Sequence, residues 1–139
     1  MTQPIPKKTH ILIVDDDWNT LRSMEYILMA ASYKVTTLAS SSEALQRIVA
    51  ARKSSSPVDL LITDVQIPGL NGLELLGELR RQDIEIPTLV ISADINQNVQ
   101  FKLVRLGYDN ILIKPFDEVE LLTRVTHLLE AKQQLEEIT

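Results

Sequence analysis

Residues 10–15 read HILIVD, and the run continues through Asp16 and Asp17 before reaching Trp18. Four aliphatic residues in succession, three of them β-branched and none alternating with a polar residue, are what a strand buried on both faces requires. The abrupt change to acids marks the carboxyl end of that strand. Further short runs of the same kind occur at KVTTLA (34–39), VDLLITD (58–64), TLVISA (88–93) and NILIKP (110–115). Between the runs lie segments with helical periodicity, at 18–31, 41–52, 72–82, 96–106 and 117–137. The third carries Leu73, Leu76 and Leu79 on one stripe. Helix starts are marked by a serine cap in SSSEAL, with Glu43 in the first turn, and by Asp117 with Glu120 at the capping-box offset. Five strand–helix repeats predict an α/β fold, a doubly wound parallel sheet with helices on both faces.

The bulk properties narrow the class. At 139 residues the chain has the size of one domain. With 45% hydrophobic and 24% charged residues, it has the composition of a globular protein. A net charge of -5 lacks the basic footprint of a phosphate-backbone binder, so direct nucleic-acid contact is not expected. The absence of cysteine excludes disulfides, thiolate metal sites and a cysteine nucleophile. No apolar run approaches the roughly 18 to 20 residues of a membrane span, and a cytoplasmic location is expected. Residues 1–8 read as a flexible leader, 9–130 as the folded domain and 131–139 as an extension of the last helix.

In an open parallel sheet, ligands bind outside the carboxyl ends of the strands. Here the first strand ends in Asp15 and Asp16, the third in Asp64, the fourth in Ser92 and the fifth in Lys114. Three acids, a hydroxyl and an ammonium, distant in sequence, thus converge on one edge. Carboxylates held together raise one another's pKa unless a cation neutralises them. Oxygen ligands without His or Cys suit Mg2+. Asp64 is placed to attack phosphorus, with Lys114 offsetting charge on the transferring oxygens and Ser92 hydrogen-bonding one of them.

The segments ILIVDDD, LLITDVQIPGLNGLELL, LVISA and ILIKPF resemble, in order, the motifs of the receiver domain of two-component response regulators (the CheY-like family), over residues 9 to about 130. The resemblance implies a flavodoxin-like, five-stranded sheet of order 2-1-3-4-5. It implies a phosphorelay switch in which Asp64 is the phosphoacceptor and Asp15 and Asp16 hold Mg2+ together with Asp64 and the backbone carbonyl of Gln66. Ser92 is then the switch hydroxyl and Lys114 the phosphate-contacting lysine, joined to Pro115 by a cis peptide. The implied partners are a sensor histidine kinase or histidine phosphotransfer protein, and a downstream effector or output domain bound through the fourth helix, fifth strand and fifth helix. Such a domain is not an enzyme beyond catalysing its own phosphorylation and autodephosphorylation.

Several residues depart from the family pattern. Asp17 is a third acid outside the metal pair and is expected to face solvent at the start of the first helix. Ile111 stands where receivers often carry an aromatic side chain, and Tyr108 where a small residue is commoner. Gln66 and Asp94, two residues beyond Asp64 and Ser92, stand where side chains influence the approach of attacking water. Gly69, Asn71 and Gly72 serve a tight reversal, and His10 and His127 are expected at the surface. Leu121, Val125, Leu128 and Leu135, with Lys132 at the missing heptad position, suggest a homodimer through the last helix, against a frayed polar end as the alternative.

Two other functions compete. One is a degenerate receiver acting as an unmodified interaction module. The other is a phosphohydrolase of the haloacid dehalogenase kind, for which Asp15 and Asp17 form the D-x-D. That class resembles a larger domain with a late acidic pair, whereas only helix follows Lys114.

Overall fold

The computed structural model describes residues 8–65 and 71–138. Strands and helices alternate from end to end: β1 (His10–Val14), α1 (Trp18–Ala30), β2 (Lys34–Leu38), α2 (Ser41–Ala51), β3 (Leu60–Asp64), α3 (Gly72–Arg81), β4 (Thr88–Ser92), α4 (Gln97–Leu106), β5 (Ile111–Ile113) and α5 (Glu118–Ile138). All strand pairs are parallel and their order is β2-β1-β3-β4-β5, so the five-stranded sheet and its reversal point are those expected.

The unalternated apolar runs find their reason in the two cores. Successive residues of a strand point to opposite faces, so Ile11 and Ile13 pack on one side and Leu12 and Val14 on the other. The first side meets Leu21, Met24 and Leu28 of α1 and Leu121 and Val125 of α5. The second meets Ala44 and Ile48 of α2, Leu75, Leu76 and Leu79 of α3, and Leu103 of α4. The two edge strands are less covered: β2 is mostly half-buried, which explains its polar alternation in KVTTL, and β5 leaves Ile113 exposed.

Local chemistry sets the helix ends. Asp17 caps α1, accepting from Asn19 N at 3.2 Å and from the Thr20 hydroxyl at 2.6 Å, and it stays exposed. Ser40 caps α2 through Glu43 N. Asn71 and Asn96 cap α3 and α4 in the same way. Helix α4 closes on Gly107 at φ 89°, a left-handed conformation that a residue with a Cβ adopts only under strain. Asp117 and Glu120 form the expected reciprocal box, with Glu120 N donating to Asp117 Oδ1 at 2.8 Å and Asp117 N to Glu120 Oε1 at 3.5 Å. Asp117→Ala is therefore expected to lower stability by about 1 kcal/mol, read as a lower urea midpoint at unchanged slope.

One expectation is corrected. His10 is buried, at 5% exposure, because its ring links three segments: Nδ1 lies 3.1 Å from Ser56 O, and Nε2 lies 2.8 Å from Thr36 Oγ1. Its own N–H donates to Asp59 Oδ2 at 2.8 Å. Helix α5 runs on to Ile138, and Lys132 reaches back from it to Asp59 at 3.5 Å. His127 is exposed, as expected. No helix among the described residues is long and apolar enough to cross a membrane.

Candidate functional site

Parallel register brings the strand ends level. Val14 pairs with Thr63, which sets Asp15 beside Asp64, while Asp64 pairs with Ile91 and Ser92 with Ile113. Lys114 follows β5 directly, and its backbone N donates to Ser92 O at 2.9 Å. From there its ammonium donates to Asp15 Oδ2 at 2.7 Å and to Asp64 Oδ2 at 2.8 Å. Three residues separated by 49 or more positions thus meet at one point on the carboxyl edge. The Lys114–Pro115 peptide is cis, as expected.

The setting is dry. Asp15 is fully buried and Asp64 is 6% exposed. Burial pushes the Asp15 carboxyl above its ordinary pKa, and hydrogen bonds from Lys114 and from Asp17 N only partly oppose this. For Lys114 burial disfavours the charge, yet the bonds to Asp15 and Asp64 outweigh it and the ammonium titrates above its usual value. Asp17 is shifted downward, held by the Thr20 hydroxyl above all, which suits a helix cap.

The other sequence-expected residues occupy distinct places. Asp16 is exposed at the rim. The Ser92 hydroxyl is buried and lies 3.3 Å from both Asp94 N and Asp94 O, so it engages the loop after β4. Ile111 is half-buried against the α4 side of the sheet. Tyr108 is 7% exposed and fills that same core, with the Arg80 guanidinium 5.1 Å from its ring centre. Gln66 and Gly69 lie outside the described residues.

Gly72, which begins α3, shows why a small residue is needed beside the acid. A Cβ there would collide with the Asp64 carbonyl oxygen and lie 2.6 Å from Val65 Cα. Both neighbours are backbone and cannot rotate away. Gly72→Ala is expected to cost about 3 kcal/mol and to displace Asp64, measured by urea unfolding together with the amide shifts of residues 63–65.

A hard divalent ion fits the chemistry of this donor set: carboxylate oxygens, no nitrogen or sulfur ligand, and a buried acid whose charge is disfavoured. Among the described residues no group of three His, Cys, Asp or Glu side chains gathers around one point. Asp15 and Asp64 converge on the Lys114 ammonium, while Asp16 stays at the rim.

A doubly wound parallel sheet of order β2-β1-β3-β4-β5, with two buried acids and a lysine joined at its carboxyl edge, defines a class of open α/β domain. The family model described as "Response regulator receiver domain" matches residues 11–126. The chain belongs to that family, as the receiver domain of a two-component response regulator. It is 31% identical to the response regulator SaeR of Staphylococcus aureus over 121 residues, covering 87% of this chain and 50% of the relative. The chain thus spans about half the length of the curated relatives it matches. Among solved structures it is similar to the Vibrio cholerae chemotaxis protein CheY4, with a TM-score of 0.77 and 27% identity over 88% of this chain and 100% of that one. It is also similar to the signal receiver domain of an HD domain-containing protein from Pseudomonas fluorescens, with a TM-score of 0.83 and 25% identity over 98% of this chain and 97% of that one.

Proposed function

We propose that this domain is a phosphorylation-activated switch whose phosphoacceptor is Asp64. The observation that carries the reading is the Lys114 ammonium bound at once to Asp15 and Asp64. A carboxylate nucleophile, a second buried acid and a fixed cation are the parts that phosphoryl transfer to an aspartate needs. Asp64 Oδ attacks the phosphorus of a phosphohistidine on a sensor kinase or phosphotransfer protein. The P–O bond forms as the P–N bond breaks, and the imidazole leaves with a proton from solvent. Water later cleaves the acyl phosphate and restores the acid.

Asp15, Asp16, Asp64 and the Gln66 carbonyl would hold Mg2+, which supplies positive charge against the phosphoryl oxygens when bound. This chain's own contribution is positional. Lys114 can turn from Asp15 to a phosphoryl oxygen without leaving the pocket, and the Ser92 hydroxyl can exchange the Asp94 backbone for another. Drawing Ser92 inward pulls on the loop that leads to α4. The surface formed by α4, β5 and α5 exposes Phe101, Val104, Ile113 and Val119, between 54% and 71% each, and an effector or output domain would read the change there. Incubation with acetyl phosphate, with and without Mg2+, followed by intact mass, tests the reading. One metal-dependent phosphoryl adduct is the expected result, and none at all would favour an unmodified interaction module.

A further inference from the structure

Helix α1 has a flank that neither the sheet nor the acid pocket uses. Its inward side is Leu21, Met24 and Leu28. Trp18, Arg22, Glu25 and Met29 recur at 4-3-4 spacing, so they form one ridge, roughly 16 Å long at 1.5 Å per residue. Trp18 is 66% exposed, Met29 58%, and Tyr26 beside them 78%. The ridge is ordered internally: the Arg22 guanidinium lies 5.1 Å from the Trp18 ring centre, and its Nη1 lies 3.4 Å from Glu25 Oε1. The other flank of α1, with Thr20, Ser23 and Ile27, borders the groove toward Pro115 and Phe116, so the ridge faces away from it.

We propose that this ridge is a contact between two copies of the chain, with α1 packed antiparallel against α1. Trp18 and Met29 have the same midpoint along the helix as Arg22 and Glu25, between Ser23 and Met24. A twofold axis through that point sets Trp18 against Met29 of the second copy and Arg22 against Glu25 of the second copy, and each pairing occurs twice. Indole on thioether is a favourable contact, and the two intrahelical ion pairs merge into a four-membered network of alternating sign. A parallel arrangement would instead oppose like charges. The self-complementarity of one cation and one anion about a single point is what selects a second copy over an unrelated partner.

The test uses the whole unphosphorylated chain in sedimentation experiments over a concentration series. The parent is expected to dimerise as concentration rises. Arg22→Glu sets acid against acid, and Glu25→Arg sets base against base, so each variant alone should self-associate at least about tenfold more weakly. An equimolar mixture of the two restores opposite signs at both pairings and should form a dimer containing one of each. Only trans pairing of residues 22 and 25 produces that recovery, and circular dichroism confirms that both variants are folded. The proposal is overturned if the parent stays monomeric to its solubility limit, if either variant dimerises like the parent, or if the mixture stays monomeric. A dimer that survives Arg22→Glu but is lost on Leu135→Asp would place the contact on α5 and overturn it equally.

Discussion

Asp64→Asn is expected to abolish phosphoryl uptake from acetyl phosphate while leaving the fold intact. The amide is nearly isosteric, and its oxygen can still accept from the Lys114 ammonium that now lies 2.8 Å from Asp64 Oδ2. What disappears is the anionic oxygen, and a neutral amide is too weak a nucleophile to open a phosphoramidate or an acyl phosphate. Two opposing effects leave stability within about 1 kcal/mol of the parent: a charge-assisted bond is weakened, and repulsion between Asp64 and Asp15 is relieved. Intact mass after incubation with Mg2+ reads the first effect and a urea midpoint the second. An adduct of undiminished yield on the asparagine variant would mean that another side chain is the acceptor, and the roles given to Lys114 and Ser92 would fall with it.

How far the chain announces this architecture can be judged residue by residue. The strands were legible because a parallel sheet covered on both faces demands unbroken apolar runs, and Ile11–Val14 and Leu60–Ile62 are fully buried. Their terminal residues were legible as a set because topology, more than local pattern, aligns Asp15, Asp64, Ser92 and Lys114 on one edge. The Asp117–Glu120 box was legible because a reciprocal cap depends on a fixed spacing of three. His10 was misplaced because its partners, Ser56 and Thr36, are 46 and 26 positions away and nothing in HILIV points to them. The Asp59–Lys132 pair is non-local in the same way, so a lysine that interrupts the heptad pattern of α5 proves to be a tether to the start of β3. Gly72 was assigned to the turn, whereas its contact with the Asp64 backbone is a close approach that only three-dimensional packing reveals. The exposure of Trp18 is not legible in the sequence, because an aromatic residue after three acids has the composition of either a core residue or a surface one, and only the packing of α1 turns it outward.

Lys114→Ala is expected to destabilise the metal-free protein by about 3 to 5 kcal/mol at neutral pH, the cost of stranding buried charge when one partner of an ion pair is removed. The lysine side chain is 18% exposed and the two carboxylates it serves are 0% and 8% exposed, so solvent cannot take over its role. The pH dependence follows from the directions of the shifts. Lys114 titrates above the ordinary 10.5 in the folded protein. Its contribution is therefore complete below that value and is lost as pH rises through the folded one. Asp15 titrates above the ordinary 3.8, chiefly through burial, with Lys114 pulling the other way. Removing the lysine removes that pull, so the folded variant binds a proton at Asp15 more tightly than the unfolded chain does. The deficit should then shrink as pH falls through the raised carboxylate range. Mg2+ should shrink it as well at neutral pH, because the ion binds more tightly where no ammonium competes for the carboxylates and so stabilises the variant more than the parent. Because Asp64 remains, acetyl phosphate should still modify the variant. Without the ammonium to draw the phosphoryl oxygens inward, hydrogen exchange across α4, β5 and α5 should no longer change on modification. Urea midpoints at neutral and acid pH, with and without Mg2+, measure the first half of this expectation. A variant as stable as the parent at every pH would show that the ion pair contributes nothing to the fold. A normal exchange response on modification would show that the signal leaves Asp64 by a route that does not pass through Lys114.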